Sequence, residues 1–579
     1  MRATRVPSFP FTFPPPTGGV LRRLAFLCTI LVLAACARGG RPILIGVTGP
    51  FSQPRGVSMR HAAQLAAAEI DAAGGIRGRR LHLVFADDSG SEDQAIRIAK
   101  SFSDSAAMVA VVGHLSSNTT LAAGRVYSTE ANPLLMISPS ASSPDLTGFS
   151  PFVFRVTPND LNQGQQIARF ARRSLGARRA GVIFINNEYG RGLRRAFAAE
   201  FSALGGSVLE EDPYLPATPS LEPYLSRMRQ RGGVDVLVLA CERPGAELAL
   251  RELRQLGLRW PAIGGDALTG IEGPLAEGVR FSSTYLPQQP GERNARFVGV
   301  YVRAFNGERP DHRGAGAYDI VRLLAQAIGE VGPDRLAIRD YVAQVGTTKP
   351  AFEGVTGTIA FDAYGDVPAK PVVIGGGGAG GRGAQRGALE TLRWRILLGF
   401  GGVLAGLVVA AIIGAAALRA MRTAVARELQ ALQAASLMGS GLVTSVFDEI
   451  RAAEQYLSQP SEDARQEFQG AAGEGFRYEK GLEQLEGLSL EDRLTVNRIK
   501  GLQASIQVDY SIAHALKDLG REREALGQSV AVRDQARELT RLVRDLSARE
   551  AQRAGQAGGR LAALAGRRLL FLWVVLAVT

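Results

Sequence analysis

Short apolar runs alternate with amphipathic stretches over the first third of the chain. Ile43–Val47 is apolar and ends in Gly49-Pro50-Phe51-Ser52. Val57–Ala73 then places Ala66, Ile70 and Ala73 on one helical face and stops at Gly74-Gly75. Leu81–Ala86 is the next apolar run, Ser91–Ser105 has helical spacing, and Met108–Val112 is apolar again. Continuous apolar runs separated by amphipathic helices predict a parallel sheet with helices on both faces. The rhythm restarts at Ala180–Ile185. A helix to about Leu204, a strand at Val208–Tyr214, a helix at Leu221–Arg231, a strand at Val234–Ala240, a helix to Leu256 and a short strand at Ala262-Ile263 follow. Two α/β units in one chain predict two lobes with a cleft between their strand ends.

The second half has a different pattern. Gly375–Gly383 opens a Gly-rich linker over 375–392. Ile396–Leu418 is 23 residues without a charge, flanked by Arg393, Arg395, Arg419 and Arg422. That length predicts a transmembrane helix. From Ala420 to Gly566 the only proline is Pro460, and leucines recur at helical spacing, as at Leu482, Leu485 and Leu539, Leu542, Leu546. Long antiparallel helices are expected there. Leu569–Val578, after Arg567-Arg568, reads as the start of a second membrane helix, cut short within 569–579. At the other end, Arg22-Arg23, the apolar run Leu24–Leu33 and Leu33-Ala34-Ala35-Cys36 read as an export signal over 1–36.

Composition narrows the function classes. The net charge of +12 is carried mostly by arginines interspersed with acids, without a block of like charge, which argues against a nucleic-acid partner. Of three cysteines, Cys28 and Cys36 fall in the signal, so Cys241 alone remains and no disulfide framework is expected in the body. Five scattered histidines lack metal-ligand spacing, so no metal site is expected. The Gly-rich run lacks the G-K-[ST] ending of a phosphate loop, and no nucleophile elbow is present; neither a cofactor nor a catalytic residue is expected.

The candidate chemistry sits where two apolar runs give way to hydroxyls. Met108–Val112 leads to Gly113, Ser116 and Ser117; Leu134–Ile137 leads to Ser138, Ser140 and Ser142. Neighbouring strand ends with hydroxyls and bare N–H groups can cradle a carboxylate, or can simply cap the following helices.

Several ordered segments carry a resemblance: G-V-T-G-P-F-S, A-A-A-E-I-D-A-A-G-G-I-R-G-R-R-L-H-L-V-F-A-D-D, V-V-G-H-L-S-S-N-T-T, M-I-S-P-S-A-S-S-P-D-L-T, N-E-Y-G-R-G and F-E-G-V-T-G-T-I-A-F-D-A-Y-G-D. Over about Pro42–Ile374 the chain resembles the periplasmic solute-binding proteins of the leucine/isoleucine/valine-binding type, the substrate-binding proteins of ABC transporters. The resemblance implies an α/β, two-lobed type I periplasmic-binding-protein fold over 41–374. Lobe 1 is expected at about 42–156 and 287–347, and lobe 2 at about 157–286 and 348–374. It further implies that Ser117, Ser140 and Ser142 hold a ligand carboxylate, that Asp266 takes the ammonium, and that Tyr189 supplies an aromatic contact. Asp160 and Tyr318 match family positions but are expected to be structural. Arg55 and Glu242 stand where the family has aromatic contacts to the ligand side chain. Either the ligand is more polar than leucine, or the two residues pair across the closed cleft. The family's small disulfide near this site has no counterpart in Asp87-Asp88-Ser89 and Ser116-Ser117.

The resemblance implies a small-molecule ligand, an amino acid or related carboxylate, delivered to an ABC permease at the cell envelope. Leu33-Ala34-Ala35-Cys36 separately resembles the bacterial lipoprotein signal, which implies Cys36 as a lipidated first residue anchoring the chain at the periplasmic face of the membrane; a plain signal peptide cut nearby is the other reading of that segment. The alternative is a ligand-sensing input, since a membrane helix followed by a bundle over 420–566 resembles the input modules of histidine kinases and chemoreceptors. The partner would then be a signalling output protein. One crossing at Ile396–Leu418 would put that bundle in the cytoplasm, whereas sensor bundles of this kind face outward. A join of two neighbouring reading frames, a binding protein and a sensor cut short, would reconcile these.

Overall fold

The computed structural model describes residues 41–129, 132–376, 434–485, 488–530 and 532–553. The expected export signal with Cys36, most of the linker, the run Ile396–Leu418 and 569–579 lie outside them. Among the described residues no helix is long and apolar enough to cross a membrane.

The first lobe is a five-stranded sheet in the order β2-β1-β3-β4-β5. Its strands are β1 (Ile43–Gly49), β2 (Leu81–Asp87), β3 (Met108–Val112), β4 (Met136–Ser138) and β5 (Val153–Arg155). Every pair is parallel, with Ile45 opposite Leu83 on one side and Ala110 on the other. Helices α1 (Pro54–Ala72), α2 (Glu92–Asp104) and α3 (Ser117–Thr129) link them. Ile45, Val47, Ala110 and Val112 share a core with Ala62, Ala63 and Ala66 of α1, whose small side chains let a long helix from later in the chain approach closely. Met108 and Val111 face a second core with Ile98 and Phe102 of α2. Burial on both faces is why these strands read as unbroken apolar runs.

The second lobe holds β6 (Arg179–Ile185), β7 (Ser207–Tyr214), β8 (Val236–Ala240), β9 (Ala262–Gly264) and β10 (Val279–Ser283). Helices α4 (Asp160–Arg173), α5 (Glu188–Ala203), α6 (Glu222–Gln230) and α7 (Arg243–Gln255) cover this sheet. The chain then returns to the first lobe as α8 (Glu292–Ala304), α9 (His312–Val331), α10 (Arg335–Gln344) and a hairpin, β11 (Phe352–Gly354) with β12 (Gly357–Ile359). A last crossing brings β13 (Val373–Gly376) antiparallel to β10.

Two boundaries differ from expectation. Val355, Ile359, Phe361 and Val367 pack into the first lobe's core, although 348–374 was expected in the second lobe. Only β13 joins the second sheet. Gly375 and Gly376, expected in the linker, belong to that strand, where Gly375 lies opposite Phe281 and Gly376 opposite Arg280. A ladder's backbone hydrogen bonds need no side chain, so the glycine run concealed a strand end.

The helical region comprises α11 (434–458), α12 (Glu462–Glu483), α13 (Leu490–Asp518), α14 (Glu522–Ser529) and α15 (532–553). A capping box starts α13: Ser489 accepts from the Asp492 N–H, and the Asp492 carboxylate accepts from the Ser489 N–H. Val496, Ile499, Leu502, Ile506 and Tyr510 of α13 form the bundle core. On its other side Val508, Ile512, Ala515 and Leu516 share one core with the second lobe. The bundle packs directly on the second lobe, an arrangement that leaves no room for a bilayer core of about 30 Å between them.

Candidate functional site

Between the lobes lies a cleft of about 840 Å3, and Ser117, Ser140, Ser142, Tyr189, Asp266, Arg55 and Glu242 all line it. The first lobe contributes the hydroxyl wall. Ser117 opens α3, so helix N–H groups and the positive end of the helix dipole face the same space. Its Oγ accepts from the Ser142 and Ser143 N–H groups at 3.2 and 3.1 Å, which leaves its own proton to offer. Ser138 Oγ donates to the His114 carbonyl at 2.6 Å and accepts from the Ala141 N–H at 2.9 Å, fixing the turn that carries Ser140 and Ser142. The same hydroxyls that tie the two strand ends together form the wall.

Two supports behind this wall were not legible as such. His114 Nδ1 meets Asp88 Oδ2 at 2.7 Å with both side chains fully buried, tying the end of β3 to the end of β2. Arg155, at the end of β5, reaches Asp366 with Nε at 2.7 Å and Nη2 at 2.8 Å, and donates to the Ser143 carbonyl at 2.6 Å.

The second lobe contributes the acid. Asn187 caps α5 by accepting from the Gly190 N–H at 3.0 Å, which sets Tyr189 in the first turn. Among the described residues the Tyr189 hydroxyl is buried without a hydrogen-bond partner. Burial, with Asp266 and Asp160 nearby, pushes this phenol well above its ordinary value. Asp266 begins the single turn after β9 and is 2% exposed. One of its oxygens accepts from Gln163 Nε2 at 3.4 Å and lies 3.7 Å from His312 Nε2. Burial, with Arg313 beside it, lowers the His312 pKa, so this ring is a neutral neighbour at pH 7. Asp160 lies behind this wall, and burial together with Asp266 pushes its carboxyl well above the usual carboxylate range. Of the two acids, Asp266 faces the cleft. Tyr318 is remote from it and donates to Glu69 between α9 and α1.

Arg55 and Glu242 form an ion pair that joins the lobes across the cleft. Of the two arrangements expected for them, pairing is the one the structure contains. Sequence reasoning missed the neighbours contributed by α9 and its leader. Arg313 is 6% exposed and donates to Asp311 at 2.8 Å on the cleft wall. Against burial, which would raise it, the Arg313 guanidinium and the Gly314 N–H hold the Asp311 carboxyl below its usual value. No motif marks these positions, which lie far along the chain from both serine turns. Ten of the 26 lining residues are charged, and apolar side chains such as Val57 and Leu115 share the wall with them. A second cavity, about 570 Å3 between the second lobe and the bundle, contains none of the expected site residues.

Comparison with known proteins agrees with the two-lobed fold. Residues 42–381 match the family described as periplasmic binding protein. The leucine-, isoleucine-, valine-, threonine- and alanine-binding protein of Pseudomonas aeruginosa is 26% identical over 363 residues, covering 60% of this chain and 93% of that one. The crystal structure of an ABC transporter substrate-binding protein from Desulfitobacterium hafniense in complex with Leu is similar at 31% identity. The match covers 58% of this chain and 97% of that one, with a TM-score of 0.50. A leucine-binding protein from Thermotoga maritima is similar at 27% identity, covering 57% and 94%, with a TM-score of 0.53.

Proposed function

The chain belongs to the periplasmic binding protein family, and from that premise we propose that its cleft binds an amino acid outside the cytoplasm and presents it to an ABC permease. The observation that carries this reading is the division of labour across the cleft. Hydroxyls and a helix N-terminus lie on one lobe, and the Asp266 carboxylate lies on the other. A zwitterion leaving water needs donors for its anion and an acceptor for its cation. Separating them between lobes makes closure depend on the ligand. Ser117, Ser140 and Ser142 take the α-carboxylate, Asp266 the α-ammonium, and Tyr189 packs against the ligand backbone. The role is binding, not catalysis. Export of the chain, lipidation at Cys36 and membrane association through Ile396–Leu418 belong to the same reading.

A thermal-shift panel of the twenty amino acids tests it. Stabilisation by at least one α-amino acid is expected, and a panel without any stabilisation counts against it.

A second reading, ligand sensing, is favoured by one observation: the helical bundle rests on both lobes. A membrane span at Ile396–Leu418 and a bundle beside the lobes are compatible when the two halves are made as separate chains from adjoining frames. An immunoblot with one membrane-bound species near the 61.6 kDa of the whole chain would sink that arrangement.

A further inference from the structure

We propose that the seam between the two lobes is an interaction surface for a helical bundle, that residues 434–553 of this chain occupy it, and that their docking reads lobe closure. The inference rests on the two-lobed binding reading above but not on the ligand's identity.

Lys500, on α13, is the centre of the argument. Its side chain is 8% exposed, and its Nζ lies 3.1 Å from Glu92 and 3.1 Å from Glu483 while also pairing with Glu188. Glu92 is the first residue of α2 in lobe 1, and Glu188 is the first residue of α5 in lobe 2. One ammonium is therefore held by carboxylates from both lobes at once. Glu188, Glu479 and Glu483 lie close enough together to hold a metal ion, but here Lys500 and Arg191 supply the positive charge.

Further contacts repeat the bridging pattern. Asn497 donates to Asp93 of lobe 1 at 3.3 Å, and Asn186 of lobe 2 donates to Gln507 at 2.8 Å. The residues that grip each lobe lie within three turns of one helix. Any hinge motion that parts Glu92 from Glu188 must release one of them from Lys500 and leave a buried charge short of a partner. Breaking a buried pair in this way is strongly destabilising. The docked bundle consequently favours the closed lobes. By linkage, closing the lobes must favour the docked bundle by the same factor, for which about 5–150-fold is typical. The Arg55–Glu242 pair closes the cleft from the lobes themselves, so it provides a handle that does not touch the seam.

The test is hydrogen exchange of the full chain without added ligand. Glu242→Arg sets two guanidinium groups against each other and parts the lobes; Arg55→Glu combined with Glu242→Arg restores the pair in reverse. Lys500→Met removes the bridge and keeps the volume. Exchange across 504–516 should accelerate at least fivefold in Glu242→Arg and in Lys500→Met, and return to the wild-type rate in the double swap. Exchange in the α5 segment 196–201, away from the seam, should stay unchanged, which separates undocking from unfolding. Wild-type exchange across 504–516 in both single variants overturns the proposal. Because no ligand is added, a silent amino-acid panel leaves this outcome untouched, and failure here leaves the amino-acid reading untouched.

Discussion

Asp366 supports the hydroxyl wall of the cleft from behind, and its removal should loosen that wall. Arg155 and Asp366 form a two-point pair at 2.7 and 2.8 Å, with side chains 2% and 9% exposed. Asp366 also accepts from Thr147 Oγ1 at 2.8 Å. Asp366→Ala leaves a guanidinium buried with only the Ser143 carbonyl and the Thr147 hydroxyl as partners. Breaking a buried pair by removing one partner costs about 3–5 kcal/mol. Every 1.4 kcal/mol is tenfold in an equilibrium constant, so local opening should become roughly 100- to 4,000-fold more frequent. Amide exchange reports it at Arg155, whose N–H donates to the Gly365 carbonyl at 3.1 Å, and at Val156, whose N–H donates to the Ser138 carbonyl at 3.0 Å. Asp366→Asn keeps acceptor and donor shape and should fall between. Exchange within threefold of wild type at both amides in Asp366→Ala would refute the assignment of Asp366 as the brace.

Other perturbations follow the same logic. Ser117→Ala strips the acceptor from the Ser142 and Ser143 N–H groups. About 1–3 kcal/mol should be lost in urea unfolding, and amino-acid affinity should fall at least tenfold; an affinity unchanged from wild type removes Ser117 from the site. A Cβ on Gly265 would overlap the Tyr189 hydroxyl, so Gly265→Ala should displace that ring and weaken binding while leaving helical circular dichroism unchanged. Burial, with Arg227 and Arg465 near, pushes His514 down to about 3, against 6.5 unfolded. A folded-state pKa below the unfolded one means that the unfolded chain binds the extra proton. Stability from this group is therefore complete above pH 6.5 and lost as pH falls toward about 3. At 1.36 kcal/mol per unit the ceiling is about 5 kcal/mol. Thermal melts at pH 4 and 7 should differ less in His514→Phe than in wild type, and an equal difference would contradict the buried neutral ring.

How much of this was readable from the sequence depends on the length of each signal. Met108–Val112 was found with its exact bounds because five consecutive apolar residues are buried on both faces. Leu134–Ile137 was placed two residues early, since Leu134 and Leu135 are fully buried yet precede the ladder that begins at Met136. Strands β5, β10, β11, β12 and β13 run three to five residues and carry no period, so they passed as connections. In the site, the hydroxyl of Ser117 was legible at a strand end, where parallel sheets converge on ligands, whereas the expectation for Asp266 came from the family resemblance. Arg313 was not legible, because its position in the cleft comes from α9 packing on α1, a contact between distant segments. The docking of the bundle was hidden for another reason. Helix α13 has two buried faces, one toward its own bundle and one toward the second lobe, and helical periodicity reports burial without naming the partner.

The central claim is that Asp266 takes the α-ammonium of an amino acid whose carboxylate lies against Ser117. Calorimetric titration of wild type and Asp266→Ala tests it most directly, using the panel's best amino acid and its analogue with hydrogen in place of the amino group. The account expects one site per chain for the amino acid, and at least 100-fold weaker binding both for the analogue on wild type and for the amino acid on Asp266→Ala. Equal affinity of the two proteins for the amino acid, or equal affinity of wild type for the amino acid and the analogue, would contradict it.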